Sequence, residues 1–194
     1  MAAPIHLELV SDAPPREPVD STLLGMILFC LVEAMFFAGL ISAFTIVKSN
    51  AVEWPPPGQP RLPVESTLFN TGALLLSGVV LFYAGRVFRK NRSAALLPMG
   101  VAILLGGFFV AFQGYEWLQL LREGLTLTSS QHGSFFYLIV GMHAAHAVIA
   151  LLALGWAWQR LAGLTLPYGS FAGISLFWYF VVLLWPILYW RVYL

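Results

Sequence analysis

Five long apolar runs fix what this chain can fold into. They cover roughly residues 22–47, 67–88, 94–121, 133–158 and 169–190. Each is long enough to cross the hydrocarbon core of a bilayer, which takes about 20 helical residues. The runs are continuous rather than alternating, and an open sheet cannot satisfy its edges in lipid. They predict an all-α polytopic membrane protein, with five transmembrane helices packed as one domain over residues 22–194. Only 10% of the 194 residues are charged, against about 25% in a soluble domain. A surface that poor in charge cannot face water.

Residues 1–21 are polar and proline-rich, through Pro4, Pro14, Pro15 and Pro18. They read as a short mobile tail. No apolar stretch in them matches a cleavable signal peptide. A formal net charge of +1 and the lack of a basic patch exclude nucleic acid as a partner. The single cysteine, Cys30, excludes an internal disulfide and any CxxC site.

Lysine and arginine predict the orientation. The side holding the N-terminus collects Arg16, Arg86, Arg89, Lys90, Arg92 and Arg160, and the other side collects Lys48, Arg61, Arg122 and Arg191. The short cluster RVFRKNR decides for an N-terminus inside and a C-terminus outside. Trp54, Tyr115, Trp117, Trp156, Trp158 and Trp190 fall near span ends, as an aromatic belt requires. Small residues predict where backbones approach. Gly100, Gly107 and Gly114 recur every seven residues on the third span, and Thr71, Gly78 and Gly85 do so on the second. Ala34, Ala38 and Ser42 recur every four on the first.

Few polar groups remain at depth. In FCLVEAMFFAGL, residues 29–40, every residue but Glu33 is apolar or glycine. Glu33 comes 11 residues after Thr22, which is roughly 16 Å at ~1.5 Å per residue. A charge at such depth costs at least about 2.5–3.5 kcal/mol on insertion scales, so the group must be protonated, paired or both. His143 and His146 sit at a similar depth in GMHAAHAV, and a spacing of three puts both rings on one helical face. If the first and fourth spans meet, Glu33 can pair with one of these histidines. Metal or haem ligation, a proton relay and a polar clamp are the competing uses. Ligation wants three or four ligands, yet His6 lies in the tail and His132 at an interface. Near the outer end of the third span, Glu116 and Gln113 read as interfacial polar residues that share hydrogen bonds. Ser134 reads as an N-cap-like residue opening the fourth span. No catalytic triad, phosphate loop or carboxylate pair is present, a profile that suits an accessory subunit better than an enzyme.

These segments resemble the cytochrome c oxidase subunit III family of haem–copper oxidases. GMILFCLVEAMFFAGLISAF is similar to its segment with a buried glutamate before two phenylalanines, through Glu33, Phe36 and Phe37. EWPPPG resembles the loop that follows, and LFNTGALLLSG the next helix start, through Asn70 and Thr71. FQGYEW resembles its Gln-x-x-Glu stretch, through Gln113 and Glu116. GSFFYLIVGMHAAHAV matches through Gly133, Ser134, Phe136, Gly141, His143 and His146. FWYFVVLLWPILYW matches the last helix through Trp178, Phe180, Val181, Trp185 and Tyr189. Together they resemble the five-span bacterial form.

The last helix departs from the family pattern. Tyr179 and Val182 stand where a histidine and an aspartate are usual, Ala144 replaces a glycine, and Pro186 is added. Proline removes its own donor and clashes with the carbonyl of residue 182, which predicts a reshaped fifth helix. The resemblance implies a non-redox scaffold subunit in a bacterial inner membrane, in a complex that reduces oxygen and pumps protons. It implies contact with oxidase subunit I, with subunit II in the same complex, and haem and copper held by those partners. It also implies bound phospholipid, and cytochrome c or quinol as the electron donor of the complex. A quinol oxidase or a nitric oxide reductase-type assembly is the alternative host within the family. Outside the family, a small proton-coupled transporter is the alternative. Glu33, His143, His146 and Tyr179 are the candidates for a buried polar network.

Overall fold

The computed structural model describes residues 21–194, and all the long elements in them are helices. The helices are α1 (Ser21–Asn50), α2 (Val64–Phe88), α3 (Leu96–Arg122), α4 (Gln131–Ala162) and α5 (Tyr168–Leu188). A 3-10 turn, Ser93–Ala95, leads into α3, and a π-helical turn, Tyr189–Tyr193, extends α5. All five helices are long and apolar enough to cross a membrane. The mobile-tail reading falls almost wholly on residues 1–20, outside the described residues.

Local chemistry sets the helix ends. Ser130 caps α4, its Oγ accepting from the backbone N–H of Gly133 at 3.0 Å. This corrects the expectation for Ser134. The helix starts earlier than residue 133, so Ser134 lies inside its first turn and donates back to Leu127 O. At the end of α3, Gly124 adopts φ +91°, and Leu125 N–H returns to Leu120 O at 2.9 Å. The end of α4 uses the same turn with Leu164 at φ +56°, while Thr165 N–H reaches Arg160 O. A left-handed residue there satisfies carbonyls that the helix leaves open.

Helix α5 is the centre of the bundle, packed on α1, α2 and α4, while α2 and α3 form the closest helix pair. Two indoles tie α5 to α2. Trp178 Nε1 donates to Ser77 Oγ at 2.9 Å and Trp185 Nε1 to Thr71 Oγ1 at 2.8 Å. Asn70 Nδ2 donates to Phe109 O at 3.1 Å, tying α2 to α3. Such bonds hold where lipid offers no alternative partner.

The glycine stripe of α2 lies at a close interface. A Cβ on Gly78 would stand 3.0 Å from Val182, and one on Gly85 3.3 Å from Phe171. Val182, at the position of the usual acid, therefore packs on Gly78. On α3 the stripe reading fails at two of three positions. Gly107 and Gly114 face open space, and only Gly100 lies against a neighbour, the Trp158 ring. The close approach is at Gly106, where a Cβ would fall 2.6 Å from Trp178. The reason is the register. The buried face of α3 runs Met99, Ala102, Gly106, Phe109, Gln113, Glu116, Leu120, with alternating steps of three and four, so its repeat of seven starts at Met99 and not at Gly100. Ala34, Ala38 and Ser42 are likewise exposed, since α1 buries only Phe37 and Phe44.

Helix α5 continues through Pro186 and then widens into the π-helical turn. Proline leaves the carbonyl of residue 182 without its usual N–H partner.

Candidate functional site: two buried polar groups

The structure brings Glu33 on α1 to His146 on α4, with Oε2 and Nε2 3.1 Å apart. His146 Nδ1 faces the carbonyl of Met142 at 2.7 Å. A carbonyl only accepts, so Nδ1 carries a proton. Nε2 then either accepts from a Glu33 carboxyl or donates to a carboxylate. Either way one hydrogen bond joins the two side chains. The surroundings are aromatic. The ring of Phe37 lies 5.5 Å from that of His146, and Phe177 packs on its other side at 6.2 Å.

His143 is placed differently. It is 1% exposed and stacks on Trp185, with ring centres 5.1 Å apart. Neither of its nitrogens has a protein partner. Of the two histidines open to Glu33, only His146 meets it. Tyr179 is not brought to this group. It lines a cavity of about 220 Å³ with Leu23, Phe82, Arg89 and Phe171, and hydrogen-bonds neither Glu33 nor a histidine.

A second group joins α2, α3 and the C-terminal turn. Glu116 Oε1 accepts from Ser66 Oγ, and Oε2 accepts from Thr67 Oγ1 at 2.9 Å and Gln113 Nε2 at 3.1 Å. Gln113 Nε2 also reaches Tyr193 Oη at 3.1 Å. Tyr189 Oη donates to Val64 O at 2.9 Å. Glu116 is 2% exposed and Gln113 4%, so these two residues near the outer end of the third span are covered by protein. They lie on the α3 face that packs inward, under the turn that follows α5. His132 is similarly buried, against Trp54 at a ring distance of 5.2 Å. Ser66, Thr67 and Tyr193 were not singled out by sequence reasoning. The step of three between Gln113 and Glu116 was the available signal, and it carried no information on which helix would cover them. Among the described residues, no three His, Cys, Asp or Glu side chains converge as a metal site.

The sequence model described as cytochrome c oxidase subunit III matches residues 17–194, which is the whole bundle. The chain belongs to the cytochrome c oxidase subunit III family. It is 33% identical to a probable cytochrome c oxidase subunit 3 of Nocardia farcinica, over 87% of this chain and 85% of that protein. It is 34% identical to cytochrome c oxidase subunit 3 of Neurospora crassa and 32% to that of Struthio camelus. There the match covers 88% and 87% of this chain but only 66% and 67% of those proteins. The chain thus spans about two thirds of the longer subunit III proteins and most of the bacterial one. Both polar groups lie within the stretch that the family shares.

Proposed function

We propose that this chain is the accessory subunit III of a haem–copper terminal oxidase, a cytochrome c oxidase, in a bacterial inner membrane. The observation that carries this reading is the family match over the full five-helix bundle. In this reading the chain packs on subunit I, with subunit II in the same complex. It supports assembly, stability and proton uptake, while haem and copper stay in the partner subunits. Its N-terminus lies inside and its C-terminus outside, as the arginine-rich α2–α3 connection favours. Phospholipid fills the grooves along its outer faces.

Glu33 and His146 act here as a clamp. Helix α1 buries only Phe37 and Phe44, so a polar contact to α4 counts for much of what holds it. Gentle purification of the chain from its native membrane tests the reading. We expect oxidase subunits I and II to co-purify, with a haem signal in the reduced-minus-oxidised spectrum. A chain that purifies without haem and without partners, or that transports ions alone in liposomes, overturns it.

A further inference from the structure

Between α3, α4 and α5 lies a cavity of about 180 Å³, walled by Phe109, Val140 and Trp185, with the small residues Gly114 and Ala144 also in its lining. Its walls are mostly apolar, but three polar side chains also line it: Gln113, Trp117 and His143. Gln113 Oε1, Trp117 Nε1 and both nitrogens of His143 are buried and have no protein partner. A buried polar atom left unpaired costs about 1–3 kcal/mol, and three of the side chains lining this one cavity carry such atoms.

We propose that this cavity is a hydrated site, holding a small cluster of ordered water that links His143 to Gln113. The donor set favours this occupant. Gln113 Oε1 only accepts, Trp117 Nε1 only donates, and an imidazole with one N–H does one of each. The occupant must therefore donate and accept at several points, which water does and an acyl chain does not. One water needs about 10–15 Å³ of such volume, so the space admits several. Gln113 already donates to Glu116. On the other side, His143 and His146 share the ring of Phe37, at 6.5 and 5.5 Å. The cluster thus extends the Glu116 group as far as His143, which the ring of Phe37 separates from the Glu33–His146 pair.

The test is a structure of the purified membrane complex at a resolution that shows ordered water. We expect discrete peaks about 2.7–3.2 Å from Gln113 Oε1, Trp117 Nε1 and one His143 nitrogen. Continuous acyl-chain density, or none, overturns the proposal. Infrared spectra in H₂¹⁸O give an independent reading. An internal-water O–H band should be present in the native protein, lost in Ala144→Leu, which adds bulk to the lining, and shifted in Trp117→Phe, which adds no bulk. A band unchanged in both variants, or none in the native protein, overturns it.

Discussion

Glu33 Oε2 stands 3.1 Å from His146 Nε2, while the other nitrogen of that ring faces the carbonyl of Met142. The imidazole is thereby held between a backbone acceptor and a carboxyl group on another helix. This contact joins α1, the least buried helix, to α4.

The contact predicts a ranked series at Glu33. Glu33→Ala leaves His146 Nε2 unpaired and should lower stability by about 1–3 kcal/mol. Glu33→Gln keeps a donor for Nε2 and should lose only a fraction of that. Glu33→Lys places an ammonium group against His146 with no acid nearby to pair with it and should block assembly. Thermal unfolding of the purified protein in detergent ranks the three, and equal midpoints for the alanine and native forms would count against the clamp. A hydrophobic carbodiimide should label Glu33 and not the glutamine variant. Absence of labelling would assign the shared proton to His146.

Gly106 should tolerate no side chain. A Cβ there would fall 2.6 Å from Trp178 and 2.9 Å from Leu151, and overpacking of this kind costs about 1–3 kcal/mol. Gly107→Ala, with nothing within 4 Å, should be neutral or slightly stabilising. Comparable losses from the two substitutions would show that the α3 face is misassigned.

Glu116 anchors the C-terminal turn. Glu116→Ala strands three donors, on Ser66, Thr67 and Gln113, and should cost about 1–3 kcal/mol. Tyr193→Phe removes one bond to Gln113 and should cost about 0.5–1.5 kcal/mol. Hydrogen exchange should quicken at the start of α2 and in residues 189–193 in the alanine variant. Exchange that speeds up elsewhere but not there would disprove the anchoring role.

Leu164 holds φ +56° at the turn after α4, a conformation that costs a residue with a Cβ about 1–2 kcal/mol. Its side chain is 56% exposed, so little packing is lost on removing it. Leu164→Gly should therefore raise stability by up to about 1 kcal/mol. A drop in the unfolding midpoint would show that the leucine packs on lipid or a partner more firmly than the turn strains it.

The five spans were legible because length and apolarity alone mark a crossing helix, and the observed helices contain or closely track all five runs. Depth was legible too, since ~1.5 Å per residue placed Glu33 and the histidines at one level. Which histidine Glu33 meets was not, because His143 and His146 share a face and only the rotation of α4 separates them. The burial of Glu116 was hidden for a related reason. Its cover comes from Ser66, Thr67 and Tyr193, up to 77 residues away along the chain, and spacing within α3 says nothing of that. Gly106 was missed because a step of seven fits Gly100, Gly107 and Gly114 as well as Met99, Gly106, Gln113 and Leu120, and spacing alone does not say which of the two registers faces the bundle.

The thin embrace of α1 has a consequence for how the molecule is made. α1 is the first of the five spans to leave the ribosome, and the surfaces that receive it, on α4 and α5, are synthesised last. In the two-stage view of membrane assembly, helices insert singly and associate afterwards. Glu33 therefore enters the bilayer more than a hundred residues ahead of His146 and waits there among its apolar neighbours. The contact forms only after α4 has been made, and α5, on which α1 packs most, follows later still.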